Sequence, residues 1–230
     1  MNEALCGSTY FFVTLTLAAY AIGEWVRRKL RFPLFNPILV ASSLLILVLK
    51  AVDIPNSAYQ AGCEAMQFLL TPATICLAIA FFQQLDRLKK HMGVISLGVL
   101  AGTIASLGSV WLLGKLLGLD QVLPLSLLPK SITTAIGVAL SQELGGIAAI
   151  TTAVIILTGI LGNVAGPALC KLFRLKSPIA QGVAFGTASH VVGTTKATEI
   201  GELCGAVSSF SLTLAGIFTC VFLSFLAQFL

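Results

Sequence analysis

Charged residues are scarce in this 230-residue chain. Its 14 Lys and Arg and 9 Asp and Glu amount to 10% of the residues, against about 25% in soluble domains. So few charges cannot solvate the surface of a globular protein of this size. Hydrophobic residues make up 57% of the chain, and there are 21 glycines besides. The composition excludes an ordinary soluble fold and indicates that lipid is the solvent.

Motifs that carry catalysis or bind metal are also lacking. The sequence has no HExxH, no GxSxG and no phosphate-binding loop, and its six cysteines show no CxxC or CxxH spacing. Such spacings are typical of metal and redox sites. We therefore expect no enzyme, no catalytic residue, no metal and no cofactor. The few cations are scattered between hydrophobic runs, which argues against a nucleic-acid partner.

Long hydrophobic stretches predict the fold. A transmembrane helix needs about 20 apolar residues, and six continuous stretches approach or reach that length. Two further stretches, 123–142 and 179–202, are apolar but rich in Gly, Ser, Thr and Pro. We expect an all-α polytopic membrane protein, with residues 1–230 as a single integral membrane domain. The six stretches are 5–24, 36–52, 61–82, 92–117, 146–169 and 206–229.

The positions of the cations predict a re-entrant segment. Cations in short loops mark the cytoplasmic side of a membrane. If all three cationic loops are cytoplasmic, 146–169 is the only full crossing between Asp120 and Lys171, and 123–142 enters and leaves on one face. Irregular backbone at membrane depth must be covered by protein or line a cavity. The three loops contain Arg27, Arg28, Lys29 and Arg31; Arg87, Lys89 and Lys90; and Lys171, Arg174 and Lys176.

A weak internal repeat accompanies this layout. A shift of about 114 residues relates 36–117 to 146–230 and aligns two Leu-Ala-Gly tripeptides. Because the charge pattern starts the two units on opposite sides of the membrane, we predict inverted repeats around the re-entrant segment. The break at Thr71, Pro72 and Thr74 then aligns with the Gly- and Thr-rich stretch near 187. Paired interrupted helices mark the binding site of many transporters. In the alternative, the small residues only allow close helix packing.

Lys130 is a candidate anion ligand. It follows Pro129 and begins a hydroxyl-rich run that contains Ser131, Thr133 and Thr134. A helix N-terminus attracts negative charge, and a lysine adds an ammonium group with three donors. In the alternative, the Lys130 side chain reaches the outer surface.

The stretch 186–196 is the densest in polar groups. His190 is a candidate for proton coupling because its charge changes near neutral pH, although it could equally be a neutral structural residue. Lys196 could face substrate or pair with Glu199 or Glu202. Asn163 is interpreted as a contact between helices. The candidate binding residues of this stretch are Thr187, Ser189, His190, Thr194 and Lys196, and Gly186 and Gly193 are the candidate hinges.

Several motifs occur in order along the chain. They are Phe32-Pro33-Leu34-Phe35-Asn36-Pro37, Thr71-Pro72-Ala73-Thr74, Leu128-Pro129-Lys130-Ser131-Ile132-Thr133-Thr134, Gly145-Gly146-Ile147, Thr158-Gly159-Ile160-Leu161-Gly162, Gly166-Pro167 and Gly186-Thr187-Ala188-Ser189-His190 through Gly193-Thr194. Together these motifs resemble the CidB/LrgB family over nearly the whole chain.

The resemblance implies a multi-pass protein of the bacterial plasma (inner) membrane that works with a small CidA/LrgA-type membrane partner. Two functions are attached to such proteins. The leading hypothesis is a secondary carrier, proton-coupled through His190, for a small organic anion such as glycolate, glycerate or pyruvate. The alternative is an antiholin-like regulator of murein hydrolase export and autolysis. The sequence leaves open whether the chain forms a homo-oligomer.

Overall fold

The computed structural model describes residues 8–30, 37–69, 72, 75–76, 79, 82–83 and 85–226, and the regular structure within these ranges is helical. The chain divides into two compact units, Met1–Cys76 and Leu77–Leu230. The first contains α1 (Thr9–Leu30), α2 (Pro37–Ala51), α3 (Asn56–Gly62) and α4 (Glu64–Phe68). The second contains α5 (Leu85–Lys89), α6 (Met92–Leu116), α7 (Val122–Leu127), α8 (Thr134–Glu143), α9 (Ala148–Leu172), α10 (Pro178–Ile200) and α11 (Glu202–Leu226).

An aromatic contact organises the first unit. Phe12 of α1 is fully buried, and its ring meets that of Tyr59 of α3 edge to face, with centroids 5.7 Å apart. Thr16, one turn further along α1, shares a hydrogen bond with the Tyr59 hydroxyl (2.8 Å). Gly23 of α1 lies against the backbone of Pro37 at the start of α2. The absence of a side chain at position 23 therefore lets α1 and α2 approach closely.

In the second unit, α10 packs against α6, α9 and α11. It is the least apolar of the long helices of this unit, yet residues along most of its length are buried, from Gly182 to Ala197. The surrounding helices expose apolar side chains, such as Leu97 and Trp111 of α6 and Phe225 of α11. The polar helix is thus kept away from the apolar surroundings, as irregular or polar backbone in a membrane requires.

Helices α7 and α8 form a helical hairpin. Its two arms meet at the start of α9 through three fully buried hydroxyl residues, Ser126, Ser141 and Thr151, which we call the hydroxyl clasp. Thr151 Oγ1 donates to the Ser126 carbonyl (2.9 Å) and shares a hydrogen bond with Ser141 Oγ (2.6 Å). The backbone N–H of Ile147 donates to Ser126 Oγ (2.8 Å). Both arms therefore lie at one end of α9, an arrangement that a re-entrant segment requires.

The turn of this hairpin, 128–133, extends to the middle of α6. Ser131 Oγ in the turn lies 3.1 Å from Ser106 Oγ, and Ser106 is near the centre of the 25-residue α6. Leu128 and Ile132 pack in one apolar cluster with Val110 of α6 and Leu223 of α11. We call this turn the hairpin tip.

The all-α membrane fold is confirmed, but the helix lengths differ from the prediction. Among the described residues, α1, α6, α9 and α11 are long and apolar enough to cross a membrane. α2 corresponds to the predicted stretch 36–52, but its 15 residues extend about 22 Å, less than the hydrocarbon thickness of about 30 Å. The predicted stretch 61–82 lies partly outside the described residues.

Candidate functional site

Lys130 lies at the hairpin tip and points towards α6. Its ammonium donates hydrogen bonds to Ser106 Oγ (3.2 Å) and Ser131 Oγ (3.1 Å). A lysine ammonium has three donors, so these two bonds leave one for another acceptor. Because Ser106 is near the centre of α6, the positive charge lies at the level of the helix middle. The structure therefore favours the inward orientation of Lys130 over the alternative at the outer surface.

A cavity of about 400 Å³ opens beside Lys130, between α6, the hairpin tip and α10. We call it the Lys130 cavity. One wall is a row of small residues of α6, and the opposite wall is the first half of α10. Among the described residues that line it, Lys130 is the one charged side chain. The lining residues are Gly98, Gly102, Ala105, Ser106, Ser109, Lys130, Ser131, Val183, Ala184, Thr187 and Ala188.

A much smaller enclosed space, of about 10 Å³, adjoins this cavity. Ser106, Ser131 and Thr187 line both spaces, and Thr103 and Thr219 add two further hydroxyls to the small one. We call it the hydroxyl pocket. It brings side chains of α6, the hairpin tip, α10 and α11 together.

The predicted interruption of α10 is present and falls at Ser189 and His190. The backbone of Ser189 (φ −132°, ψ 15°) and of His190 (φ 42°, ψ −138°) is not helical. The predicted hinges Gly186 and Gly193 are themselves helical, and Gly186 lies against the Ser208 carbonyl of α11. Gly186 therefore serves close packing with α11, whereas Gly193 lies against Ser189 and the Phe185 carbonyl of its own helix. The change of direction occurs between the two glycines.

His190 is buried against α9. Its Nε2 donates to the Ile155 carbonyl (2.8 Å), since a carbonyl oxygen can only accept. A Cβ at Gly159 would lie 2.6 Å from the His190 ring, so the ring occupies space that only glycine leaves free. His190 therefore faces away from the Lys130 cavity.

Ser189 lies beside a second cavity, of about 220 Å³, between α9 and α10. Phe185 and Cys170 also line this cavity, which we call the α9 cavity. Its lining is mostly apolar. Thr187 therefore lines the Lys130 cavity, and Ser189 lines the α9 cavity on another side of α10.

The other predicted site residues do not line the Lys130 cavity. Thr194 is buried, donates to the His190 carbonyl (2.9 Å) and shares a hydrogen bond with Ser208 of α11 (2.8 Å). Lys196 forms an ion pair with Glu199 (2.7 Å), which is one of the alternatives left open by the sequence. Thr133 precedes α8 and is half-buried, and Thr134 is exposed. The assignment of these residues to ligand binding stays a prediction.

Two further predictions concern the break around Pro72 and the role of Asn163. Thr71 and Thr74 lie outside the described residues, so the break predicted around Pro72 stays a prediction. Asn163 of α9 donates from Nδ2 to the Val192 carbonyl of α10 (2.9 Å). The interpretation of Asn163 as a contact between helices is thus confirmed, and the bond lies close to the α10 interruption.

Sequence reasoning missed Ser106, Thr103 and the hydroxyl clasp. Ser106 and Thr103 are two of a few polar residues in a mostly apolar helix, where averaged hydropathy hides them. Their spacing of three residues on one helix face was a usable signal. The clasp joins residues up to 25 positions apart in the chain, and no local pattern indicates that pairing.

These features define an all-α membrane protein in which an interrupted helix and a helical hairpin meet around a partly buried cation. A family model described as LrgB-like matches residues 16–229. The chain belongs to this LrgB-like family, and the resemblance found in the sequence motifs is confirmed.

Relatives of nearly equal length support the same assignment. Proteins named "Antiholin-like protein LrgB" from Bacillus mycoides (strain KBAB4), Bacillus cereus (strain B4264) and Bacillus anthracis (strain CDC 684 / NRRL 3495) are each 36% identical to this chain over 222 residues. The aligned part covers 96% of this chain and 96% of each relative. No solved structure matches the chain.

Proposed function

We propose that this chain is an antiholin-like protein of the bacterial plasma (inner) membrane that restrains murein hydrolase export and autolysis. The observation that carries the proposal is the name shared by relatives that align with 96% of the chain at 36% identity. That name supports regulation more than transport. A small CidA/LrgA-type membrane protein is the proposed partner, and it would contact the outer faces of the helices.

Autolysis measurements test this function. Cells that lack the chain should lyse faster after autolysis is induced, and re-expression of the wild type should restore the slower rate. A regulator that acts through its outer faces should keep its effect in a Lys130→Met or Thr187→Val variant, because both residues face the interior. Equal lysis rates with and without the chain would contradict the proposal.

A second function is favoured by one specific observation. The Lys130 ammonium lies beside the middle of α6, at a cavity of about 400 Å³, with one N–H donor left after its bonds to Ser106 and Ser131. We propose on this ground that the chain carries a small organic anion, such as the monocarboxylates glycolate, glycerate or pyruvate. A cation that is partly shielded from water attracts an anion more strongly than one at the surface.

Uptake into vesicles tests the carrier proposal. Purified protein reconstituted in lipid vesicles should accumulate labelled glycolate or pyruvate above protein-free vesicles. Lys130→Met should abolish the difference, while Lys196→Met, which removes a cation paired with Glu199, should retain it. Full uptake by the Lys130→Met variant would contradict the site, and no uptake by the wild type of any monocarboxylate tested would contradict the function.

A further inference from the structure

Two threonine hydroxyls in the hydroxyl pocket have no hydrogen-bond partner among the described residues. They belong to Thr103 of α6, which is 3% exposed, and Thr187 of α10, which is 7% exposed. A buried hydroxyl that lacks a partner is costly, and such groups in folded proteins are nearly always paired with protein or ordered water. Both hydroxyls therefore call for an acceptor or donor inside the pocket.

The Thr187 side chain has a fixed orientation. A Cβ at Gly102 would lie 2.8 Å from the Thr187 methyl carbon, so the methyl group packs against the α6 backbone. Thr187 lines the hydroxyl pocket together with Thr103, Ser131 and Thr219, and its hydroxyl is buried without a partner among the described residues. Residues of three helices and the hairpin tip thus place hydroxyl-bearing side chains around one small space.

The size and charge of the pocket select its occupant. A space of about 10 Å³ corresponds to a single water molecule, which needs two to four polar partners. A metal cation does not fit, because Ser131 binds the Lys130 ammonium at 3.1 Å and no carboxylate is among the residues that line the pocket. An apolar group would leave both threonine hydroxyls unpaired.

We infer that the hydroxyl pocket binds one ordered water molecule, hydrogen-bonded to Thr103 Oγ1 and Thr187 Oγ1 and completed by Ser131 or Thr219. This water joins α6 and α10 to the hairpin tip. Because Ser131 also holds the Lys130 ammonium, the water helps to set the position of the cation relative to α10. The inference rests on the geometry of the pocket and on neither of the proposed functions.

Thermal unfolding of purified full-length variants tests the water site. Thr→Val keeps the shape of the side chain and removes its hydroxyl. Thr103→Val and Thr187→Val should each lower the unfolding midpoint by about 2–4 °C, since each removes a partner of the water. The double variant should lose less than the sum of the two, because both hydroxyls bind the same molecule.

Ser211 provides the matched control. Its hydroxyl is buried and unpartnered among the described residues, but Ser211 does not line the pocket. Ser211→Ala should leave the midpoint unchanged or raise it. If Thr103→Val and Thr187→Val behave as Ser211→Ala does, or if their losses are additive, the inference is overturned.

An experimental density map of the wild type is a second test, and it does not depend on the folding of a variant. At a resolution that shows ordered water, a peak should lie within about 3.2 Å of both threonine Oγ1 atoms. A pocket without density in such a map would overturn the inference.

Discussion

The ammonium of Lys130 donates a hydrogen bond to the hydroxyl of Ser106 at 3.2 Å. This contact joins the hairpin tip to the middle of α6, across 24 positions of the chain. The same contact holds the ammonium at the wall of the Lys130 cavity, which Ser106 also lines. The position of the charge therefore depends on a serine in a helix whose other residues are mostly apolar.

Ser106→Ala should weaken anion binding in the Lys130 cavity. The substitution removes one of the two described hydrogen bonds of the ammonium, and such a bond contributes about 0.5–1.5 kcal/mol. A drop in affinity of roughly three- to tenfold is expected, measured as competition of unlabelled anion against labelled uptake. Ser109→Ala is the control, because Ser109 lines the same cavity but bonds the Ser106 carbonyl within its own helix. Equal affinities of the two variants would contradict the prediction.

Thr151→Val should destabilise the hairpin. Thr151 bonds the Ser126 carbonyl and the Ser141 hydroxyl in the buried hydroxyl clasp, so the change leaves buried polar groups unpaired at a cost of about 1–3 kcal/mol. A lower midpoint of thermal unfolding is expected. Thr152→Val is the matched control, since the Thr152 hydroxyl donates to the Ala148 carbonyl of its own helix. A midpoint lowered as much by Thr152→Val would show that the clasp is not the cause.

Gly102→Ala should disturb the contact of α6 with α10. The added Cβ would lie 2.8 Å from the Thr187 methyl carbon, and forcing extra volume into a packed contact costs about 1–3 kcal/mol. Gly108→Ala, in the same helix, meets nothing within 4 Å and should be neutral or slightly stabilising because alanine favours helix. The thermal midpoints of the two variants measure the difference. Equal midpoints would show that α10 yields to the added methyl group.

His190→Gln should remove any dependence of uptake on a pH gradient. Glutamine is polar but does not titrate, so a proton carried by the imidazole can no longer be carried. Uptake into vesicles is measured with and without an imposed gradient. His91→Gln is the control, because His91 is exposed at the start of α6. A gradient dependence that survives in the His190→Gln variant would place the proton on another group.

The sequence predicted which stretches are interrupted better than it predicted the residues at which the interruptions occur. The composition of 123–142 and 179–202 indicated irregular helices, and both stretches are interrupted in the structure. Composition could indicate this because it is a local signal. The prediction from charge parity, that 123–142 enters and leaves on one membrane face, stays a prediction. The α10 break, however, falls at His190 between the two predicted glycine hinges. The His190 ring packs against Gly159 of α9 and bonds the Ile155 carbonyl, and such tertiary packing has no local signature in the sequence.

Side-chain partners were the least predictable part of the candidate site. Lys130 was singled out from its neighbours in sequence, whereas Ser106 and Thr103 became visible only when α6 was placed beside the hairpin tip. For Lys196, the spacing to Glu199 offered a local ion pair, and the structure forms it. A pair three residues apart on a helix can be read from sequence, but a pair that depends on the tertiary fold cannot.

Ala184 and Ala188 line both the Lys130 cavity and the α9 cavity. The barrier between the two spaces is consequently a single helix that presents only methyl groups at these positions. A bulky side chain at position 184 would fill one space or the other, so a single substitution at this alanine can alter the volume of both cavities.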